Sequence, residues 1–518
     1  MLIRPFAAIL FLTLSWSQPA AATGKHDDSH GKIFEVLKEV DGLPIWMGLY
    51  MQGHKVGYFT SNVVDEQASS APTVTMTTKM IFVVRSGDEV IRQETTAREI
   101  FDRRPPFRLR SLTEETMQKG QVERLRIRRV DGPTAYVAEI IQGGESRTEK
   151  LELDYRLAHA FSHDLWLRGH PKPGARHRTY SFDSSKLRMV EDELRFKRRV
   201  TQMVQGVTTT YSVYDHTFDL KSSDRMTGEM MVLPDGTPLK LSIGGLVEGR
   251  LEYEALAKQL DKPQDLFVNN LVAVDGRIGD PRYVSQLVLE VDQALGAQLA
   301  DGPGQRVLPL PEGRGFRVEL NSKHRRDVRV KASERQEALE ATLMIPARDS
   351  RVIALAKEAV GDAQGPEEQV KRLVRFVSDY VEDHSSIEPL TVMDVIAGKK
   401  GDCTEHSMLF AALARAIGIP TREVSGLVYG QNIDGAQAAF GGHAWNEVAV
   451  GGYWWPIDAT WNETVINATH IRFSSANELA TMAQLPKAKL RVIKVVPAAP
   501  KQPLPTQDIW DAIFKELE

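Results

Sequence analysis

Two adjacent glycines, Gly451 and Gly452, separate two runs of strand-forming residues, and this spacing constrains the fold more than any other feature. The first run is Gly442-His443-Ala444-Trp445-Asn446-Glu447-Val448-Ala449-Val450, and the second is Tyr453-Trp454-Trp455-Pro456-Ile457-Asp458. A two-residue hairpin turn needs positive φ at both central positions, which glycine adopts without a steric penalty. With that turn, Val450 pairs with Tyr453 and Ala449 with Trp454. Counting on, Trp445 pairs with Asp458 and His443 with Thr460. Asp458 is then the diagonal neighbour of His443 on one face of the ribbon, within reach of a long side chain. A slip of one residue would send it to the other face.

An imidazole held by a carboxylate is the base of a nucleophile–base–orienter triad. The chain has one cysteine, Cys403, so no internal disulfide is possible. Cys403 follows Gly401-Asp402 and opens a helical pattern in which Met408, Leu409, Ala412, Leu413 and Ala416 form one apolar face. Gly418 ends that helix and Pro420 prevents its continuation. Unpaired backbone N–H groups and the helix dipole favour negative charge in the first turn, so the position is expected to lower the thiol pKa.

Four blocks then stand in order: Gly401-Asp402-Cys403-Thr404-Glu405-His406, Ala414-Arg415-Ala416-Ile417-Gly418-Ile419-Pro420-Thr421-Arg422, Gly442-His443-Ala444-Trp445-Asn446-Glu447-Val448, and Trp455-Pro456-Ile457-Asp458-Ala459-Thr460. Together they resemble the transglutaminase-like superfamily over Pro346 to Ile471, about a quarter of the chain. The resemblance implies a papain-like fold in which a cysteine helix packs on an antiparallel sheet, with Cys403, His443 and Asp458 as the catalytic triad. It further implies acyl transfer through a thioester on protein or peptide amides, ending in deamidation, cleavage or cross-linking. The backbone N–H of Cys403 can supply one oxyanion donor.

At 518 residues the chain exceeds a single core, which stops growing at about 250–300 residues. The expected class is α+β: a C-terminal papain-like, transglutaminase-like core preceded by a large antiparallel β domain and a smaller β-rich region. Residues 1–22 read as a secretory signal peptide, with Arg4, an apolar run from Phe6 to Trp16, and Ala20-Ala21-Ala22 for cleavage. The run is shorter than the roughly 20 residues a membrane span needs. No cysteine follows it to take a lipid. A periplasmic or secreted location follows from this reading, with no stable membrane span.

From Phe34 to Tyr253 strand follows strand, with turns at Gln52-Gly53, Asp131-Gly132, Gly143-Gly144 and Pro234-Asp235-Gly236. That region, 31–257, is expected to form one curved or partly closed antiparallel sheet. Lys258 to Asp265 is a polar boundary, and 266–345 reads as a small β-rich domain or an extension of the first sheet. Ser350 can cap a helix running to about Val360, and a second helix begins at Gly365-Pro366-Glu367-Glu368, where Val370, Leu373, Val374, Val377 and Val381 repeat at helical spacing. A short helix starts at Thr391 and ends at Gly398. The catalytic domain is placed at 346–480, with a tail over 481–518 that is proline-rich and then amphipathic from Ile509 to Leu517.

A net charge of −4 argues against nucleic acid as a partner. The basic stretches Arg195–Arg199 and Lys323–Arg326 lie in strand-like contexts and read as solvated faces. The partner expected is a protein or peptide substrate, with no cofactor and no metal. His54, His163 and His170 are scattered and read as surface or turn residues. His406, three residues after Cys403 on the same helical face, could serve as the base but lacks an obvious carboxylate partner. Cys403, His406, His443 and Asp458 match zinc ligands by type, but their short spacing is only half a zinc motif. The aromatic residues Trp445, Tyr453, Trp454, Trp455 and Trp461 are expected mainly in the core, with one or two lining a cleft. Gln431 to Phe440, rich in glycine and alanine, reads as a mobile loop over that cleft. From another functional class, the domain could be a catalytically silent binding or assembly module of the cell envelope.

Overall fold

The computed structural model describes residues 29–498 except 52, 69, 87–88, 119, 143–144, 205–206, 223–224, 244–246, 264–270, 325–326, 384–390, 434–435, 475–484 and 486–487. The leader segment, the Gly143-Gly144 turn and the amphipathic end of the tail lie outside the described residues.

Fourteen antiparallel strands, β1 (Ile45–Met51) to β14 (Val247–Glu252), form the N-terminal sheet. Each strand pairs with its neighbours in the chain, except that β8 (Glu145–Glu152) and β9 (Arg176–Asp183) stand at opposite edges of the sheet; in addition, β1 pairs with β14. Among the described residues no pairing joins the two outermost strands, Glu145–Glu152 and Arg176–Asp183. Alternation decides the buried face: in Ala135–Gln142 every second residue is buried.

The reading of strands from Phe34 onward begins too early, because Ser29–Val40 is a helix. Its Ile33, Val36, Leu37 and Val40 recur at i, i+3, i+4 and i+7 and are all buried in the core of the sheet. Two short helices, Leu157–Ala160 and Ser162–Arg168, interrupt the strands between β8 and β9.

The C-terminal half is built on a nine-stranded sheet. Its main path runs Gln305–Pro309, Phe316–Asn321, Val284–Val291, Leu490–Pro497, Val272–Asp275, Ala436–Val450, Thr421–Ile433 and His470–Arg472; Tyr453–Ile457 pairs with Ala436–Val450. Strands from the 266–345 region and from the tail therefore share one sheet with the histidine strand.

Four helices pack against it: Ser350–Val360, Pro366–Tyr380, Val392–Gly398 and Cys403–Ala416. The side chain of Asp349, one residue before Ser350, caps the first by accepting from the Arg351 N–H at 2.9 Å. Val370, Leu373, Val374 and Val377 are wholly buried in the core that these helices share with Trp455 and Ile457. Thr391 and Asp394 form a capping box, and Lys399 ends that helix in a left-handed conformation.

The hairpin register is the one its turn dictates. Val450 pairs with Tyr453, Ala449 with Trp454 and Asn446 with Ile457, with φ of 63° and 82° at Gly451 and Gly452. Gln431 to Phe440 corrects the loop reading: Thr421–Ile433 and Ala436–Val450 pair as far as Ile433 with Ala436. Small side chains there do not oppose extension, and Phe440 packs against Tyr429 across the ladder at 5.5 Å between ring centroids.

At Gly426 a neighbouring backbone approaches closely. A β-carbon there would lie 2.1 Å from the Ile471 carbonyl oxygen and 2.5 Å from the Trp445 ring. Gly426→Ala should therefore push the His470–Arg472 strand away and cost on the order of 1–3 kcal/mol. A fall in the urea midpoint with an unchanged slope would register this; an unchanged midpoint would show that the strand yields freely.

Candidate active site

Cys403 is the first residue of the helix Cys403–Ala416. Asp402 caps that helix by accepting from the Thr404 N–H at 2.7 Å, while the Glu405 carboxylate accepts from the Asp402 N–H at 2.9 Å. The half-buried thiol receives a hydrogen bond from the backbone N–H of Ala444, the residue after His443. A second tie lies one turn on, where buried Asn446 donates to the Ser407 carbonyl at 3.0 Å. The histidine strand is thus fastened to the cysteine helix along its first turns.

On that strand His443 is buried, and its Nε2 lies 2.8 Å from Oδ2 of Asp458. Asp458 is fully buried. The Thr460 N–H donates to its Oδ1 at 2.9 Å, and Nε2 of His470 approaches Oδ2 at 3.4 Å. Burial would raise this carboxyl, but the charges of His443 and His470 and their hydrogen bonds outweigh it and hold Asp458 far below the usual carboxylate range. Trp461 stacks on the His443 ring with 4.3 Å between centroids and 8° between planes. Trp445, Trp454 and Trp455 are buried; Trp445 also stacks on His443, at a longer 6.1 Å between centroids.

The thiol corrects the expectation of a lowered pKa. Burial, first, and the Asp402 charge push Cys403 well above the ordinary thiol range. Asp458 and Glu405 push the same way, and the Ala444 N–H only partly opposes them. Glu405 is itself pushed up to about 8 by burial and by Asp402. Three carboxyls close to one sulfur outweigh what a helix N-terminus offers.

His406 is also buried, and its Nδ1 donates to the Asp402 carbonyl at 2.8 Å within its own helix. Asp383, beside Lys400–Gly401, carries a carboxyl raised by burial and by Asp402 and Asp458, against the charges of His406 and His443.

Sequence reasoning missed His470, Glu463 and Asp383. His470 enters through the short strand His470–Arg472, too brief to read as one. Glu463 pairs its backbone with Asp458, and its buried Oε2 has no hydrogen-bond partner. His443, Asp458 and His470 bring three metal-type ligand atoms within 4.8 Å of one another. Both ring nitrogens are spent on hydrogen bonds to the carboxylate, which suits orientation of His443 better than ligation.

Residues 353–459 match the model of the transglutaminase-like superfamily, and the chain carries a transglutaminase-like core there. Among solved structures the chain is similar to a proposed cysteine protease from Cytophaga hutchinsonii, with 15% identity over 42% of this chain and 90% of that one, at a TM-score of 0.26. It is similar to a β-barrel-like protein of a domain of unknown function from Brucella abortus, with 10% identity over 41% of this chain and 97% of that one, at a TM-score of 0.30. Similarity to a protein described as a TGase is 16% identity over 30% of this chain and 43% of that one, at a TM-score of 0.16. Comparison with curated proteins gives no match.

Two outcomes follow from these electrostatics. With its thiol raised, Cys403 should react with iodoacetamide more slowly than a free cysteine at pH 7, and the rate should still climb above about pH 9. A plateau reached at acid pH would contradict the burial effect. Glu463 is pushed up to about 7 by burial, with His470 lowering it and Asp458 raising it. Its folded pKa exceeds the unfolded one, so stability through this group falls as pH rises from about 4.5 to 7. Relative to wild type, Glu463→Gln should gain on the order of 2 kcal/mol between pH 5 and 8 in urea unfolding. An equal offset at both pH values would contradict this.

Proposed function

We propose that the chain is a cysteine-dependent acyltransferase or amide hydrolase acting on protein or peptide amides through a thioester. Cys403 is its nucleophile, His443 its base and Asp458 the group that orients the base. The observation that carries this reading is the 2.8 Å contact between His443 and buried Asp458 on a strand whose next residue hydrogen-bonds the Cys403 sulfur.

In this mechanism the resting thiol is neutral. Its proton passes to His443 as the sulfur attacks the amide carbon, so activation depends on the base rather than on a standing thiolate. Asp458 stabilises the imidazolium that forms and holds its tautomer. The oxyanion is met by the Cys403 backbone N–H at the helix start. The imidazolium then protonates the departing ammonia or amine, leaving a thioester. Water resolves it in deamidation or cleavage, and a second amine in cross-linking.

The segment over residues 1–22 supports work in a periplasm or outside the cell. Among the described residues no helix is long and apolar enough to cross a membrane. A second reading, a catalytically silent envelope-binding module, is favoured by the raised Cys403 thiol.

Incubation with a glutamine-containing peptide library, with and without a lysine donor, separates the two readings by mass spectrometry. Deamidated, cleaved or cross-linked peptides should appear with wild type and vanish with Cys403→Ala. Asp458→Asn should lower the rate by about 10³-fold or more. Absence of all three products with folded wild type leaves the binding module.

A further inference from the structure

The expectation that His163 is a surface or turn residue is overturned. His54 begins a strand in an exposed position and His170 sits exposed in a turn, but His163 is 6% exposed, on the short helix Ser162–Arg168. It lies over a part of the N-terminal sheet where the register collects ionisable groups. Leu194, on the strand Arg188–Val204, pairs with His177 on one side and His216 on the other. Asp192, two residues along the same strand, shares their face and is diagonal to both.

Asp192 is fully buried and His216 is 4% exposed. Nε2 of His216 lies 2.5 Å from Oδ1 of Asp192, and Nε2 of His163 lies 3.3 Å from the same oxygen. The Ser181 hydroxyl donates to the other carboxylate oxygen at 3.0 Å. His163 approaches off the hydrogen-bond line, so neither of its buried ring nitrogens has a hydrogen-bond partner. Two buried imidazole nitrogens thus lie beside one carboxylate oxygen, and one of them has no hydrogen-bond partner.

We propose that His163, Asp192 and His216 form a binding site for one divalent transition-metal ion of the zinc class, seated inside the N-terminal β domain. One ligand atom from each already lies within 4.8 Å of the others. Tetrahedral zinc with bonds of about 2.0–2.1 Å sets ligand atoms roughly 3.3 Å apart. The His163–Asp192 pair meets this spacing at 3.3 Å. The His216–Asp192 pair, at 2.5 Å, must open by less than about 1 Å. Two imidazoles and a carboxylate are a ligand set suited to zinc, with the fourth position left to water.

The outer contacts are of the kind that orient ligands. Ser181 holds the free carboxylate oxygen, while Ser162 bonds His177 at 2.8 Å and keeps that ring edge-on to His163. The ion would tie the short helix to two strands, Arg188–Val204 and Val207–Phe218. This site lies apart from the Cys403 centre, where both rings hydrogen-bond their carboxylate.

The test is a titration of zinc chloride into the metal-stripped full-length protein against a chromophoric chelator. One equivalent should bind with a Kd of about 10 µM or tighter, and Cys403→Ala should retain it. His216→Ala and Asp192→Asn should each weaken binding by at least about tenfold. Cobalt(II) in place of zinc should give visible d–d bands without a thiolate charge-transfer band. Absence of binding to wild type, survival of full affinity in His216→Ala, or loss of the ion with His470→Ala instead, would overturn the proposal. If the variants fail to fold, anomalous diffraction at the zinc edge from zinc-soaked wild-type crystals decides it. A peak between the three residues upholds the site, and none there refutes it.

Discussion

A charged carboxylate with no exposure to solvent organises the C-terminal half of this molecule. Asp458 would be unstable there as an isolated ion, because desolvating a charge costs more than any single contact returns. It is kept ionised by His443 and His470, and by the Thr460 N–H on its other oxygen. Each of these donors arrives from a different piece of chain: the histidine strand, the short strand at the end of the sheet, and the turn after the hairpin. Removal of any of them leaves a buried lone pair uncompensated, so these three segments must come together if the hairpin is to hold its acid.

That requirement explains the packing around the sulfur. The Ala444 N–H and the Asn446 side chain bind the histidine strand to the start of the cysteine helix, and so Cys403 and His443 share one rigid frame. The frame is also acidic. Asp402 is needed as the helix cap and Asp458 as the partner of His443, and both raise the thiol they lie beside. A neutral resting thiol fits the proposed reading, in which a base takes the proton at each attack.

The N-terminal sheet repeats the same physical motif, a carboxylate buried beneath imidazoles, on unrelated strands. There one ring hydrogen-bonds the carboxylate and the other does not, whereas in the C-terminal centre both rings do. The two centres sit in separate cores, one within the fourteen-stranded sheet and the other between four helices and the nine-stranded sheet.

Local chemistry is enough to read the hairpin that carries His443 and Asp458. Two glycines admit one tight turn, the turn sets the register, and a period of two places His443 and Asp458 on one face. The cysteine helix and its apolar face were equally plain, since a 3.6-residue repeat and a cap are encoded within a few residues. The helix Ser29–Val40 carried the same signal and was lost among the strands that follow it. Tertiary structure decided the rest. His470 reaches Asp458 through a three-residue strand, and His163 reaches Asp192 from a seven-residue helix; neither element is long enough to show periodicity. The thiol's environment was also beyond sequence, because a helix dipole is a local property whereas burial and the nearness of Asp458 exist only once distant segments have packed.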